Sequence, residues 1–448
     1  MVKLEVLIVT IVGNILALTG DTTLTWSSPM IPKLEANSTT TNPLGRPINE
    51  EEISWIGSLQ YIGAMVGIFP FGLLADRIGR KKTLLILAVP HFVSFLLFAF
   101  AKDIIWFYLG RFLGGVSLSS VYIVLPMYIA EIAEDSYRGM LLMSYSTFAS
   151  FGDLLPYILG PYVSLMWFNV TLAILPALFV ITFGLVAPES PYYFVKKGNV
   201  KKAEQVLLKL DLDEKMTFQA IEKEVERTSA KDIVKSLRSK HVQKGFLIAL
   251  SLSSLQQLSG ISAVLSYTEI IFRGGGTELN AEESAIVVGV VLFLASFCGP
   301  LLVDRRGRKF LLICSSLGMV VSQIVLGIYY VLLDANHHLG GYTWLPILCL
   351  VIFTITFNIG FGPLPFTITS EILPSNVKFF LATITGCCGW LASFLVSKFF
   401  NDLNNTLGRG ETFWLFSGFN VVALLFVIFY VPETKGLSFQ EIQQLLAK

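Results

Sequence analysis

Charged residues are scarce in this sequence. Only 15% of the 448 residues are Asp, Glu, Lys or Arg, whereas 54% are hydrophobic, and the mean hydropathy is +0.67. A water-soluble protein of this length needs a far more polar surface. The composition therefore excludes a soluble globular domain and indicates an integral membrane protein.

Cysteine, histidine and net charge are also low. The cysteines all lie in apolar runs, which favours small packing residues over a disulfide framework. The formal net charge is +1, so nothing suggests a nucleic-acid partner. We recognise no nucleophile–base pair, metal cluster or phosphate loop, and we expect no enzymatic activity, no metal and no cofactor.

Long apolar runs are, by contrast, abundant. A helix needs about 20 mostly apolar residues to cross a bilayer, and about twelve such runs can be counted. They cover residues 5–27, 54–74, 84–101, 105–129, 140–162, 167–187, 245–272, 284–303, 310–333, 344–370, 379–400 and 412–431. The sequence thus predicts an all-α membrane protein with twelve transmembrane helices.

A short charged stretch occurs twice, as GLLADRIGRK at residues 72–81 and as GPLLVDRRGRK at residues 299–309. Asp76 and Asp304 are 228 positions apart (304 − 76), about half of the chain. Such a repeat indicates two structurally equivalent halves. We expect six-helix bundles at residues 1–187 and 245–431, a cytosolic linker at 188–244 and a cytosolic tail at 432–448.

Lysine and arginine concentrate in the loops of one side, which the positive-inside rule assigns to the cytosol together with both termini. The glycosylation sequons at Asn37, Asn169 and Asn404 all fall on the other side. Asn37 is the best acceptor because it lies in a long polar loop, whereas Asn169 is close to the bilayer. In the linker, Val200–Leu210 and Phe218–Val225 have the apolar spacing of short amphipathic helices.

Further motifs lie at the boundaries of the predicted spans. They are Gly110-Arg111 with Gly114-Gly115, Pro126 to Glu131 followed by Arg138-Gly139, Pro188-Glu189-Ser190-Pro191, Gln256 to Ile261, Gly360 to Pro365, Glu371 with Pro374, and Pro432 to Gly436. With these motifs in this order, the chain resembles the sugar porter family of the major facilitator superfamily. Within that family it is most similar to insect facilitative trehalose and glucose transporters.

The resemblance implies two six-helix halves, related by a pseudo-two-fold axis, that rock about a central site in the plasma membrane. It implies facilitative transport of a small sugar (a hexose or trehalose) or a polyol, and the chain is compatible with a monomer. Charged side chains at the cytosolic ends of both halves are interpreted as a cytoplasmic gate that closes where the halves meet; the alternative is that they only set topology. The gate residues are Asp76, Arg77, Arg80, Glu131, Arg138, Glu189, Asp304, Arg305, Arg308, Glu371 and Glu433.

A site for a neutral, hydroxyl-rich sugar needs amide and hydroxyl side chains and an aromatic face. Gln256 and Gln257 lie within predicted span seven, where adjacent amides are costly unless they face a wet cavity. The family uses this pair to hold the sugar. Glycines and prolines in Gly360–Pro365 should break span ten beside the site. The predicted substrate-binding residues are Gln256, Gln257, Ser262, Tyr267, Thr268, Asn358, Phe366 and Trp390.

Several positions depart from the family pattern. The family has Asn at Ser262 and Trp at Phe366, and Ser146, Leu292 and Gly389 also replace hydrogen-bonding residues. Each unpaired sugar hydroxyl costs about 1–3 kcal/mol. The substrate is therefore a different sugar, or the affinity is low, or other residues compensate.

Two acidic residues, Asp21 and Asp153, lie within apolar runs. An ionisable residue inside the membrane is a functional hypothesis by default. Proton-coupled relatives carry an aspartate in span one that faces the arginine of the Gly-Arg motif, here Arg111. A proton symporter using Asp21 and Arg111 is therefore one alternative, and a non-transporting nutrient sensor on the same scaffold is another.

Overall fold

The structure, a computed structural model, describes residues 3–38, 41–210, 236–273, 275–277, 279–297, 306–337, 339–437 and 439–447. The described part of the chain is helical, with connecting turns and loops. Asp304, Arg305 and the predicted helix at Phe218–Val225 lie outside the described residues.

The first half begins with six long helices and one short one that extends the first span. They are α1 (Leu4–Thr25), α2 (Ser27–Leu34), α3 (Glu50–Ile78), α4 (Arg80–Ala99), α5 (Ile104–Ile132), α6 (Asp135–Leu159) and α7 (Leu165–Val186). Two short linker helices follow, α8 (Pro191–Lys196) and α9 (Val200–Lys209). The latter confirms the predicted amphipathic helix, and its Val206 and Leu207 are buried in the first half.

The second half repeats this order. Its helices are α10 (Lys240–Gln256), α11 (Ser262–Arg273), α12 (Ala281–Ser296), α13 (Arg308–Asp334), α14 (Leu345–Ile359), α15 (Leu364–Ile372), α16 (Ser375–Thr406), α17 (Arg409–Tyr430) and the terminal α18 (Phe439–Ala447). A π-helical segment, Gln257–Ile261, joins α10 to α11, so the two form span seven. Helices α14 and α15 together form span ten.

Ten helical segments of the described residues are long and apolar enough to cross a membrane. Helices α6 and α12 complete the twelve spans. Helix α6 is less apolar because it contains Arg138 and Asp153, and α12 is shorter than the usual span. The helix bounds fall within a few residues of the hydropathy prediction, and the predicted twelve-helix architecture is confirmed.

The packing partners of the spans show the symmetry between the halves. In the first half, span one packs on spans four, five and six, and spans two and three pack on span four. Adding six to each number gives the contacts of the second half: span seven packs on ten, eleven and twelve, and eight and nine pack on ten. Between the halves, span two packs on eleven and span five on eight. A pseudo-two-fold axis therefore runs between spans one and seven.

Spans seven and ten are interrupted at the same depth. In span seven, Gly260 adopts a φ of 92°, which only glycine accepts without strain. In span ten, residues 360–363 separate two helices, as the glycines and prolines there predict. The amide of Gln323 in α13 donates to the carbonyl freed at Ser259 (2.7 Å). The discontinuities thus place unpaired backbone groups next to polar side chains.

Candidate transport site and gates

Gln257 lies at the π-helical segment, halfway along span seven, with its amide among hydroxyl groups. Its Oε1 accepts hydrogen bonds from Ser393 Oγ of α16 (2.8 Å) and Ser262 Oγ of α11 (3.0 Å). Its Nε2 donates to Gln256 Oε1 (3.3 Å). The π segment therefore aims one amide and two hydroxyls at the same place, which suits a hydroxyl-rich ligand.

Gln256 has a different role from that of its neighbour. It is 3% exposed, and its Nε2 donates to the carbonyls of Phe361 (2.6 Å) and Gly362 (2.8 Å) at the break in span ten. Both carbonyls lie in the break between α14 and α15, and Pro365, four residues after Phe361, has no N–H to donate to the Phe361 carbonyl. Gln256 thus couples the two broken spans, while its Oε1 orients Gln257.

Aromatic rings cover the site from both halves. Trp390 of α16 stacks on Tyr61 of α3 with ring centroids 6.1 Å apart, and Tyr122 of α5 lies against its other side, also at 6.1 Å. Trp390 lies one turn before Ser393, which holds Gln257. The predicted ring residue Trp390 is therefore brought to the predicted amide.

Two other predicted residues lie apart from Gln257. The amide of Asn358 donates to Thr354 O on its own helix (3.0 Å). Phe366 is 57% exposed and, with Ser253 and Thr385, lines a cavity of about 130 Å³ between spans seven, ten and eleven. Because Ser253 lies one turn before Gln257, this cavity approaches the amide site from the side where α10 begins.

The side of the molecule that carries Gly79 and Gly307 is here called the charged-turn side, and the other is called the far side. On the far side, the halves are in close contact around α11. Ser27 Oγ donates to Ser266 O (3.0 Å), Ser28 Oγ accepts from Glu269 N (3.0 Å), and Tyr157 Oη lies 3.0 Å from Thr268 Oγ1. The far side is therefore closed.

Tyr267 lies at the centre of this closure. It has non-helical backbone angles (φ −130°, ψ 18°), and its Oη donates to Ser397 O (3.0 Å). Its ring tip fills the space above Gly57 of α3, where a Cβ atom would lie 1.9 Å from the hydroxyl. Tyr267 and Thr268 thus seal the far side: they contact Gly57 and Tyr157 of the opposite half, Tyr267 also bonds Ser397 of its own half, and their described hydrogen bonds do not involve Gln257.

On the charged-turn side, the repeated loop makes the same contacts in both halves. Glu189 accepts hydrogen bonds from the backbone N–H groups of Arg80 (2.7 Å) and Lys81 (3.0 Å). The Arg80 side chain pairs with Glu131 (2.8 Å) and with Asp76 (3.2 Å), which also pairs with Lys196 of α8 (2.8 Å).

In the second half, Glu433 accepts from the N–H groups of Arg308 (2.9 Å) and Lys309 (3.1 Å), and Arg308 pairs with Glu371 (3.0 Å). Gly307 has a φ of 90° and Gly79 a φ of 105°, so each turn depends on glycine. Negative charge beside the first amides of α4 and α13 also complements the helix dipoles.

The predicted meeting of these acids and bases across the halves stays a prediction, because Asp304 and Arg305 lie outside the described residues. Among the described residues, the charged turns form ion pairs within each half: Arg80 with Glu131 and Asp76, and Arg308 with Glu371. Arg138 donates to Ala130 O (3.1 Å) and Ala133 O (3.2 Å), again within the first half. In this conformation these contacts stabilise each bundle.

Asp21 and Arg111, predicted to face each other, have different partners. Arg111 is 1% exposed and donates to backbone carbonyls of Thr23, Ile56 (2.7 Å) and Gly57 (3.4 Å). Asp21 accepts a hydrogen bond from Tyr122 Oη. Arg111 thus ties the ends of spans one and two, because a guanidinium can satisfy several carbonyls at once.

The sequon at Asn169 is not a glycosylation site in this fold. Asn169 is completely buried, its Oδ1 accepts from Trp26 Nε1 (2.7 Å), and its Nδ2 donates to Leu165 O (2.8 Å). Asn37 is exposed in the far-side loop, and Asn404 lies near the end of α16.

Some contacting residues were missed by sequence reasoning. Lys398 of α16 donates to Ser54 Oγ (2.6 Å) and lies 4.2 Å above the Trp55 ring, so it joins the halves on the far side. Gln323 and Asn420, which bond to each other (2.8 Å), support the π segment. A lysine or amide within an apolar run is the signal that could have indicated these contacts.

Comparisons with known proteins agree with this architecture. A family described as "Sugar (and other) transporter" matches residues 23–446. The facilitated trehalose transporter Tret1 of Bombyx mori is 35% identical over 406 residues, which cover 89% of this chain and 80% of that protein. Tret1 of Polypedilum vanderplanki is 34% identical over 425 residues (94% and 83%). Tret1 of Aedes aegypti is 34% identical over 403 residues, and the chain spans only 50% of its length.

Solved structures show the same fold. The xylose transporter XylE from E. coli in an inward open conformation has a TM-score of 0.79 at 24% identity, covering 98% of this chain and 99% of that one. XylE bound to 6-bromo-6-deoxy-D-glucose, described as a proton:xylose symporter of the major facilitator superfamily, has a TM-score of 0.77, also at 24% identity, covering 99% of both chains. The prediction of a multi-pass transporter rather than an enzyme is confirmed, and the chain belongs to the sugar (and other) transporter family, with the major facilitator fold.

Proposed function

We propose that this chain carries a small sugar, trehalose or a hexose, across the plasma membrane by facilitated diffusion. The observation that carries the proposal is the Gln257 amide, which meets the Ser262 and Ser393 hydroxyls at a discontinuity of span seven. Trp390, one turn away, supplies an aromatic face. Amides and hydroxyls pair with neutral hydroxyl groups, and broken helices lining a cavity are where transporters bind their substrates.

The names of the relatives favour particular sugars as the substrate. Tret1 proteins of three insects are named facilitated trehalose transporters, and two of them are covered by this chain over 80% or more of their length. Trehalose and hexoses offer the same type of hydroxyl group to the site. We therefore give trehalose first and a hexose second.

Alternating access would proceed by rocking of residues 1–187 against residues 245–431, with 188–244 as linker and 432–448 as tail. We assign the charged-turn side to the cytosol, because it is rich in lysine and arginine. The structure is then closed to the outside, and the cavity at Phe366 is on the cytosolic route. On this assignment both termini are cytosolic and Asn37 is the external glycosylation acceptor; the transporting unit is a monomer.

In the proposed cycle, the charged turns keep each bundle rigid and are candidates to exchange partners when the cytosolic side closes. Interactions of this kind bias two states that differ by a few kcal/mol. The gate residues of the first half are Asp76, Arg77, Arg80, Glu131, Arg138 and Glu189; those of the second half are Asp304, Arg305, Arg308, Glu371 and Glu433.

The site is tested with Gln257→Ala in proteoliposomes that contain the purified full-length chain. Loss of an amide with two hydroxyl partners should lower uptake of labelled trehalose or glucose at subsaturating concentration by about tenfold or more. The measurement is initial uptake rate against sugar concentration.

Gln243→Ala is the matched control, because Gln243 is an exposed amide on the same helix whose one hydrogen bond among the described residues is to Leu237 O (3.2 Å). Uptake by this variant should equal that of the unmodified chain. Unchanged uptake of every sugar by Gln257→Ala, in protein with an unchanged melting temperature, would remove the site assignment.

A further inference from the structure

Two buried aspartates lie on helices of the first half that pack against each other. Asp21 of α1 is 2% exposed and Asp153 of α6 is 8% exposed. Gly152, which precedes Asp153, lies against the backbone of Leu18, one turn before Asp21, so the two aspartates are neighbours. Tyr122 Oη donates to Asp21 Oδ1, and Thr25 Oγ1 donates to the backbone carbonyl of Asp153 (2.8 Å). We call Asp21, Asp153, Tyr122 and Tyr145 the acidic cluster.

Some polar atoms of the acidic cluster are available for further hydrogen bonds. Asp21 Oδ2, Asp153 Oδ1 and Tyr145 Oη are buried and have no partner within the part of the chain that the structure describes. Tyr145 is 8% exposed, and its ring packs edge-on against that of Tyr122, with ring centroids 5.8 Å apart. Buried polar atoms are normally satisfied. Three unsatisfied atoms in one cluster therefore point to a binding site for a polar ligand.

The basic residues near the cluster do not pair with its carboxyl groups. Arg111 of span four donates to backbone carbonyls, and His91 of span three, beside Gly20, bonds to neither aspartate. Among the described residues, no Lys, Arg or His lies within 4.0 Å of either carboxyl. Tyr157 of span five bonds to Thr268 (3.0 Å), and Tyr61 of span two lies near Ser266 (3.3 Å).

Two neighbouring carboxylates without a cation cannot both stay ionised in a low-dielectric interior. Sharing one proton removes the repulsion and leaves a group that both donates and accepts hydrogen bonds. Such a pair suits a hydroxyl group, which also donates and accepts. It suits a purely apolar ligand less well.

The cluster also faces the amide site. Tyr122, which bonds Asp21, lies against Trp390, and Trp390 is one turn from Ser393, which bonds Gln257. The acidic cluster and the amide site therefore approach the same rings from opposite halves. A ligand that bridges them would be held by both bundles.

We propose that Asp21 and Asp153 hold one proton between them and, with Tyr145, form a second sugar subsite supplied by the first half. This inference rests on the proposed function. The shared carboxylic acid donates to one sugar hydroxyl, while the carboxylate oxygens accept from others. The subsite compensates for the hydrogen-bonding groups that Ser146, Leu292 and Gly389 lack, and the proton stays with the protein throughout the cycle.

The test is equilibrium exchange of labelled sugar in proteoliposomes with equal pH on both sides, from about pH 6 to about pH 9. The KM of the unmodified chain should rise at high pH, when the shared proton is lost. At the low end of the pH range, Asp153→Asn should raise KM about tenfold and change kcat less than about twofold. It should also flatten the dependence of KM on pH. Tyr145→Phe, which removes one hydroxyl, should raise KM in the same direction and keep the pH profile.

Asp103→Asn, the same change at the exposed N-cap of α5, where asparagine caps equally well, is the control and should alter nothing. If the unmodified chain exchanges sugar while Asp153→Asn and Tyr145→Phe keep its KM and pH profile, the subsite is wrong but the proposed function stands. If the unmodified chain exchanges no sugar, the proposed function itself fails. Alkalinisation of the medium on sugar addition, read with a pH-sensitive dye, would show that the proton travels with the sugar and would overturn its retention.

Discussion

At the scale of single residues, a polar side chain between helices is satisfied in one of two ways. Arg111 and Gln256 donate to backbone carbonyls and so fix the ends or breaks of other spans. Trp26 and Asn169 instead satisfy each other across spans one and six. Disrupting either arrangement destabilises the protein, because a buried polar group without a partner has lost its hydrogen bonds to water and has no replacement for them.

Trp26→Phe tests the second arrangement. Phenylalanine retains most of the stacking on Phe98 (centroids 4.2 Å apart) but leaves Asn169 Oδ1 unpaired. We expect the free energy of unfolding to fall by about 1–3 kcal/mol. The measurement is the thermal unfolding midpoint of the purified protein in detergent, with Trp344→Phe as control, since Trp344 is half-exposed and donates only to Gly341 O (3.1 Å).

A double-mutant cycle sharpens this test. Adding Asn169→Leu to Trp26→Phe removes the unpaired amide, so most of the lost stability should return. Equal and additive losses from the two single changes would show that the hydrogen bond contributes nothing. The expected non-additivity is specific to residues in direct contact.

The residue scale also shows what sequence alone could predict. The sequence predicted that Gln256, Gln257 and Trp390 belong to one site, because polar groups in an apolar span need a polar environment; in the structure the two amides bond each other, and Trp390 lies one turn from Ser393, which bonds Gln257. The direction of each side chain was not predictable. The π segment determines which of the two glutamines faces the serine hydroxyls and which faces the backbone carbonyls. Hydropathy does not predict a π segment.

At the scale of elements, span seven is the most irregular in the described chain. Gly260 has a φ of 92° within the π segment, and its missing side chain admits the ring of Phe416 from span twelve. A Cβ built on Gly260 would lie 2.7 Å from Phe416 Cδ2. The break that positions Gln257 therefore depends on one glycine and its close neighbour.

Gly260→Ala should straighten or displace this segment. The left-handed backbone costs about 1–2 kcal/mol for an L-residue, and the contact with buried Phe416 adds to it. We expect a lower unfolding midpoint and a sugar uptake reduced by at least about tenfold. Both are measured on the same purified protein.

Gly418→Ala is the matched control for this prediction. Gly418 is a helical glycine of α17 with no atom within 4 Å of an added Cβ. Alanine there should be neutral or slightly stabilising, because it lowers the entropy of the unfolded chain. Normal uptake by Gly260→Ala would mean that the π segment is not needed for binding.

The positions of the helices were largely predictable from the sequence, whereas not all of their kinks were. Hydropathy located the twelve spans within a few residues, since about 20 apolar residues must cross the bilayer. The break at Gly360–Pro363 followed from proline chemistry, as predicted. The second kink of span seven at Tyr267 was missed, because it arises from packing against Gly57 of the other half, which no local pattern records.

At the scale of the whole molecule, the symmetric halves make an asymmetric set of contacts. On the far side, Lys398 reaches across to Ser54 and Trp55, and Asn405 donates to Glu50 Oε2 (2.8 Å). On the charged-turn side, Arg80 and Arg308 pair with Glu131 and Glu371 of their own halves in the part of the chain that the structure describes. The far-side contacts are therefore the interactions that must break for the opposite conformation to form.

Lys398→Gln should shift the molecule towards the conformation open on the far side. A partly buried cation–π contact contributes about 1–2 kcal/mol, so the population open on that side should rise about five- to thirtyfold. The probe is a cysteine at Ser266, a completely buried residue whose carbonyl accepts from Ser27 across the closed interface. The measurement is its rate of labelling by a membrane-impermeant maleimide added on the far side.

The control is Lys102→Gln, which removes an exposed cation from the same side without touching the interface. Its labelling rate should equal that of the Ser266→Cys background, whereas Lys398→Gln should accelerate labelling and Trp55→Leu should do the same. Combining the last two changes should give little more than either alone, because both remove one contact. If Lys398→Gln labels no faster than the background, this contact does not hold the halves together, and closure depends on the tyrosine and serine contacts of α11.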